Sequence, residues 1–221
     1  MSPTPSPAIL FFDLDDTLYS PQNGMWLAIR DRMRRYLIER MGFSPEEVDT
    51  LRHEYFVTYG TTLRGLLINH PERIDADDYL AFVHDIPLQD YIQPDPSLRD
   101  LLLSLPQRCW IFTNSDDRHA LRVLNVLGVR DCFEGIIDIR ALGYTCKPVE
   151  DAYHRALALV GETDPGRCIL FDDSPRNLAP ARALGFRTVL VGHDKPDPSA
   201  SHSITSLHEL PEALPELWDN G

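Results

Sequence analysis

The chain has 221 residues, 43% of them hydrophobic and 25% charged, an ordinary composition for a globular protein. That length accommodates one α/β core plus an inserted subdomain of about 70 to 80 residues. A net charge of −13 argues against nucleic acid or an anionic membrane as the main partner, because both need a basic footprint.

Residues 1–7 (Met-Ser-Pro-Thr-Pro-Ser-Pro) have neither a basic n-region nor an apolar h-region, and read as a frayed arm rather than a signal peptide. Residues 8–14 form the first predicted strand, buried on both faces because Ile9-Leu10-Phe11-Phe12 does not alternate. It runs into Asp13-Leu14-Asp15-Asp16-Thr17. Residues 24–86 then read as helix only. Met25, Ile29, Met33, Tyr36, Leu37 and Met41 recur at three- and four-residue steps until Gly42. Ser44-Pro45-Glu46-Glu47 carries the signature of a second helix start. A third segment holds Leu63, Leu66, Leu67 and Ile68, and a fourth begins near Asp75. Four short amphipathic helices without a strand predict a small bundle, and the prolines of residues 87–96 close it.

Beyond that connector strand and helix alternate. Strands are predicted at 109–113, 133–137, 168–171 and 188–191, with a short one at 203–205 before a terminal helix. Helices are predicted at 119–127, 148–160 and 175–184, each followed by a glycine (Gly128, Gly161, Gly185). Repeated β-then-α units imply an α/β fold, a Rossmann-like parallel sheet covered by helices on both faces. The expected division is a core of residues 1–19 and 91–221 with an α-helical cap at 20–90. Cys109, Cys132, Cys146 and Cys168 are widely spaced and contain no Cys-x-x-Cys pair, so free thiols are expected rather than a disulfide framework or a zinc site. No run reaches the 18 apolar residues of a membrane span, and a soluble, cytoplasmic protein is expected.

Three apolar strands end in groups suited to phosphate chemistry: Asp13-x-Asp15, Thr113-Asn114-Ser115 and Asp172-Asp173-Ser174, with Lys147-Pro148 between the last two. A parallel sheet brings these ends to one edge. Each feature alone has a plainer reading. Asp15-Asp16-Thr17 could close a strand, Thr113-Asn114 could cap a helix, Asp172-Asp173 could be an N-cap pair, and Lys147 could be a solvated lysine. Their combination at successive β–α junctions is what those readings fail to explain. Four carboxylates gathered within a few ångströms cannot all stay ionised unaided, and a divalent cation plus Lys147 would balance them. Oxygen-only ligands favour Mg²⁺. Hydroxyls of Thr113 and Ser115 suit phosphate oxygens, while one carboxylate can attack phosphorus and another can protonate the leaving alcohol.

This set resembles the haloacid dehalogenase (HAD) superfamily of phosphohydrolases, with Asp13-Leu14-Asp15-Asp16-Thr17, Thr113-Asn114, Lys147-Pro148 and Asp172-Asp173-Ser174 as its four motifs. The resemblance implies Asp13 as nucleophile forming an aspartyl-phosphate, Asp15 as general acid and then base, and Thr113 and Lys147 as holders of the transferring phosphoryl group. It implies Mg²⁺ held by the Asp13 carboxylate, the Asp15 backbone carbonyl and the acids Asp172 and Asp173, with Asp173 favoured because it aligns with the acid before serine. A later position, often acidic in the family, is Asn177 here. Tyr59-Gly60-Thr61-Thr62-Leu63-Arg64-Gly65-Leu66, with His70 and His119 beyond, resembles pyrimidine 5′-nucleotidase-type members. Arg64 is the expected substrate contact in the cap, since Gly60 and Gly65 interrupt the helix around it; an ion pair within the cap is its plainer role. Tyr19 and Asn23 are expected at the substrate entrance, with Asn114 and Ser115 beside the substrate.

The expected function is a Mg²⁺-dependent phosphomonoester hydrolase acting on a small phosphorylated metabolite, with a pyrimidine 5′-nucleotide as the leading candidate. No nucleic acid polymer or membrane partner is expected, and the assembly is a monomer or weak homodimer. The alternatives are a sugar-phosphate phosphatase or phosphomutase, a 2-haloacid dehalogenase, which has little use for Asp15, and a non-catalytic scaffold.

Overall fold

The computed structural model describes residues 7–219, so most of the arm expected at the N-terminus lies outside the described residues. β1 (Ile9–Phe12) sits in the middle of a six-stranded sheet. β2 (Arg108–Phe112) and β3 (Gly135–Ile137) lie on one side of it, and β4 (Cys168–Asp172), β5 (Arg187–Val191) and β6 (His202–Ile204) on the other. Every pairing is parallel. Phe12 pairs with Ile111 of β2 and Phe171 of β4, so these three strands end nearly level and their next residues emerge at one edge.

Strand periodicity explains why β1 has no polar position. Leu10 and Phe12 enter one apolar layer with Ile111, Ile169 and Phe171, while Ile9 and Phe11 enter the opposite layer with Phe112 and Leu170. Phe12 and Phe171 stack at 4.6 Å between ring centroids. The first layer is closed by α5 (Pro96–Ser104), α6 (Asp117–Leu127) and α9 (Leu210–Ala213); the second by α7 (Glu150–Val160) and α8 (Pro175–Ala183).

Between β1 and β2 run α1 (Met25–Glu39), α2 (Val48–Tyr59), α3 (Thr62–Asn69) and α4 (Ala76–Val83). Tyr36, Leu37, Leu66, Tyr79 and Val83 give them an apolar cluster of their own, which Ile139 and Cys146 join from the sheet side. Met25 and Ile29, in the first turns of α1, belong instead to the sheet's first layer, so one helix is shared by both bodies.

Several boundaries differ from the sequence-based expectation, among them the starts of β3, at Gly135 rather than 133, and of α6, at Asp117 rather than 119. α5 is an additional helix: Asp95 caps it, accepting from the Leu98 N–H at 2.9 Å, and Pro96 opens it. Residues 45–47 form a separate turn, and α2 begins only at Val48. α7 starts at Glu150, not at Pro148, because the backbone at Lys147 is held from the side by Asn114. All four cysteines are free thiols. Among the described residues no helix is long and apolar enough to cross a membrane.

Candidate active site

Lys147 is wholly buried, which a lysine tolerates only with its charge matched. Its Nζ donates to Asp13 Oδ1 at 2.9 Å and to Asp172 Oδ2 at 2.6 Å. Against the burial that would lower it, these two carboxylates hold the ammonium above its ordinary range. The Asn114 side chain positions it: Oδ1 accepts from the Lys147 N–H and Nδ2 donates to the Lys147 carbonyl, both at 2.9 Å. Asn114 borders the cavity, but its amide is spent on this loop.

Asp13, Asp172 and Asp173 bring carboxylate oxygens within 4.8 Å of one another. Burial first, and then the neighbouring Asp172 and Asp173 charges, push Asp13 up despite Lys147. Asp173 is raised to about 7 by burial and by Asp172 and Asp16. The two motif-four acids are not equivalent. Asp172 is saturated: Ser174 N–H and Asn177 Nδ2 reach Oδ1, and Lys147 and Asn177 reach Oδ2. Among the described residues no other side chain donates to the Asp173 carboxylate, which leaves it the more open of the two to a cation. Asn177 thus anchors Asp172. This oxygen-only donor set, short of positive charge, fits a hard divalent ion such as Mg²⁺.

Asp15 lies in a cradle of three donors. Tyr19 Oη and Ser115 Oγ donate at 2.6 Å, and His119 Nε2 approaches to 2.8 Å. Burial would raise this carboxyl, but His119, Ser115 and Tyr19 hold it well below the usual range. His119 is itself buried and stacks on His84 at 4.2 Å, and His84 Nδ1 lies 3.1 Å from Asp116 Oδ1. Thr113, almost fully buried, accepts from the Ser115 N–H at 3.0 Å and borders the cavity.

The strand ends open into a cavity of about 680 Å³ between the sheet edge and the cap helices. Asp13, Asp15, Asp173 and Thr113 form its floor; Trp26, Arg30, Arg52, Phe56 and Tyr79 belong to its opposite wall. Arg64, expected there, is not on the cavity: its Nη1 donates to the Tyr59 carbonyl at 3.1 Å. Tyr19 serves Asp15 rather than an entrance, and Asn23 Oδ1 accepts from the Met25 N–H at 2.8 Å. Arg52 and Tyr79 carry no sequence signal of a site, because their spacing is that of ordinary amphipathic helix. Arg176 in α8 clasps the cap, donating to the Phe56 and Val57 carbonyls at 2.7 Å and lying over the Phe56 ring.

A parallel α/β sheet with this acid–lysine cluster at its carboxyl edge defines a hydrolase of the HAD type. Residues 7–185 match the family described as haloacid dehalogenase-like hydrolase, and the chain belongs to it. It is 31% identical over 232 residues to Phosphate metabolism protein 8 of Saccharomyces cerevisiae, covering 98% of this chain and 72% of that protein. Two solved structures share the fold. The HAD-hydrolase YfnB of Bacillus subtilis, bound to magnesium, superposes with a TM-score of 0.62 at 19% identity, covering 94% of this chain and 98% of that one. L-2-haloacid dehalogenase of Xanthobacter autotrophicus superposes at 0.58 and 16% identity, covering 93% and 97%.

Proposed function

We propose that this hydrolase is a phosphatase, a Mg²⁺-dependent phosphomonoester hydrolase that works through an aspartyl-phosphate on Asp13. The observation that carries the reading is the wholly buried Lys147 joining Asp13 to Asp172 at the sheet edge, with Asp15 two residues away. The dehalogenase alternative leaves Asp15 and the acid cluster without a task, since a halide leaves without a proton. The yeast relative's name, a phosphate metabolism protein, supports the same choice.

In this mechanism a carboxylate oxygen of Asp13 attacks phosphorus while Lys147 offsets charge on the phosphoryl oxygens. The P–O ester bond breaks, and the leaving oxygen takes a proton from Asp15. Asp15 is an ionised acceptor in the resting site; a phosphate monoester arriving as its monoanion raises the proton affinity of Asp15 and hands it the proton that the leaving oxygen then takes. Once the alcohol has left, Asp15 takes a proton from water, the resulting hydroxide attacks phosphorus, and phosphate departs with Asp13 restored. Asp13, Asp173 and the Asp15 backbone carbonyl would hold Mg²⁺, which when bound supplies positive charge to the transferring phosphoryl group.

The substrate is a small phosphorylated metabolite, with a pyrimidine 5′-nucleotide as leading candidate on the strength of the cap residues 59–66. The division into core (1–19 and 91–221) and cap (20–90), a cytoplasmic setting, a monomer or weak homodimer, and the absence of nucleic acid or membrane partners complete the proposal. Phosphate release from nucleotides and sugar phosphates with and without Mg²⁺ tests it. Asp13→Asn should abolish turnover with the unfolding midpoint little changed. Residual turnover above about a hundredth of the wild-type rate would remove Asp13 as nucleophile.

A further inference from the structure

The cap wall of the cavity carries two arginines, Arg30 and Arg52, against one aspartate, Asp49, in an acidic protein. Arg52, from α2, has a side chain only 11% exposed, and its Nε is buried without a partner. Its Nη1 reaches Asp49 at 3.4 Å, but Asp49 is mostly solvent-facing and is shared with Arg34 at 3.5 Å. Arg30, from α1, borders the same cavity and has no ion pair among the described residues. Burial lowers the Arg52 guanidinium from its ordinary value, and the nearby charge of Arg30 adds to this against the opposing effect of Tyr79 and Asp49. Tyr79, from α4, completes the group. It is 1% exposed, borders the cavity, and its hydroxyl has no hydrogen-bond partner.

A buried donor without an acceptor costs about 1–3 kcal/mol, more when charged. Here the residues that carry two such donors come from two helices and border one cavity, with the guanidinium of the exposed Arg30 beside them. Cap packing does not account for this, since Leu, Met or Phe would fill the same space without the penalty. The floor of the cavity already holds what a phosphoryl group needs, and at about 680 Å³ the space is within the range of sites for whole small molecules, about 300–1,000 Å³. Trp26 and Phe56, 43% and 47% exposed, supply flat apolar surface on the same wall.

We propose that Arg30, Arg52 and Tyr79 form a second anion subsite, which takes a carboxylate or phosphate carried on the alcohol part of the substrate. The inference rests on the phosphatase reading and narrows its substrate to an ester with an unsaturated or aromatic body and an acid group at the far end. A pyrimidine nucleotide meets both statements only if its base carries such a group.

The test is a pair of aryl phosphates of equal shape, 4-carboxyphenyl phosphate and 4-carbamoylphenyl phosphate. The amide is the more electron-withdrawing group, so leaving-group chemistry alone favours the amide ester. The expected result with Mg²⁺ is a kcat/KM at least tenfold higher for the carboxylate, carried mainly by KM. Arg52→Gln should reduce that ratio to near one, Arg52→Lys should recover part of it, and Tyr79→Phe should reduce it less. A wild-type ratio at or below one would overturn the subsite, as would an Arg52→Gln ratio equal to wild type. If neither ester releases phosphate, the phosphatase reading fails by itself. The subsite is then decided by binding: 4-hydroxybenzoate should bind at least fivefold more tightly than 4-hydroxybenzamide, a difference lost in Arg52→Gln, and equal affinities would overturn it.

Discussion

Asp15 accepts three hydrogen bonds from Tyr19, Ser115 and His119, and the three donors come from two β–α junctions. The cradle fixes both the direction of the carboxylate and its proton affinity, which His119 lowers most among the three. Replacing His119 with Gln keeps a donor of similar reach to Nε2 and removes the imidazole. Asp15 should then move up toward the ordinary carboxylate range, and the limb of the kcat/KM–pH profile that belongs to it should shift to higher pH. A lowered plateau with an unmoved limb would reduce His119 to packing. The unequal pair Asp172 and Asp173 makes a second statement at this scale. Asp173→Asn should weaken Mg²⁺ activation by tenfold or more in the concentration required. Asp172→Asn should instead lower stability, since it leaves the buried Lys147 short of a counter-charge, a change that costs about 3–5 kcal/mol when a buried pair is broken. Chemical denaturation and Mg²⁺ titration of the two variants separate these effects.

Among the elements, the glycines around Arg64 serve helix contacts rather than the presentation of that arginine on a loop. A Cβ on Gly65 would stand 2.3 Å from the Tyr55 ring, so Gly65 lets α3 lie against α2. Gly60 has φ +97, and a Cβ there would stand 2.8 Å from Cys146 Sγ and 2.9 Å from the Lys147 carbonyl. It lets the end of α2 press on the loop that carries Lys147. Gly60→Ala should cost about 1–3 kcal/mol and lower kcat as Lys147 shifts, measured by thermal melts and steady-state kinetics. Activity and midpoint both unchanged would mean that this contact is dispensable. The strands and their acidic ends are legible in the sequence because buried parallel strands are continuous apolar runs, bounded by polar residues where the chain reaches the sheet edge. α5 is legible too, in Asp95-Pro96 and the spacing of Leu98, Leu101, Leu102 and Leu105, but three nearby prolines mask it. Arg52 is not legible. Only the folded cavity separates an arginine facing a substrate from one facing solvent.

At the scale of the molecule, the acid cluster ties stability to pH and to metal. Burial and neighbouring charges raise Asp173 to about 7 and Asp16 to about 6, and raise Asp13 as well. A group raised in the folded state contributes stability that is fully present below its unfolded value, about 3.9 for Asp, and lost as pH rises through the folded value. The metal-free protein should therefore lose stability between about pH 4 and 7 on account of these acids. A divalent ion competes with those protons, so Mg²⁺ should raise the melting temperature more at pH 8 than at pH 5. Equal shifts at both pH values, or a full shift in Asp173→Asn, would contradict this.

The clasp of Arg176 on Phe56 and Val57 adds a consequence of another kind. Arg176 is three residues beyond Asp173, within the first turn of α8. Cap docking and cation binding thus share one rigid stretch of chain, and whatever coupling exists between them must be reciprocal. On the proposed reading an ion that settled Asp173 would steady the clasp, and a docked cap would tighten the ion by the same factor. Magnesium, if it is the ion of the proposed reaction, would then be a ligand of the cap's position as well, and hydrogen exchange at the C-terminal end of α2 should slow when it is added. In Arg176→Gln that slowing should disappear, and the apparent affinity for Mg²⁺ should fall with it.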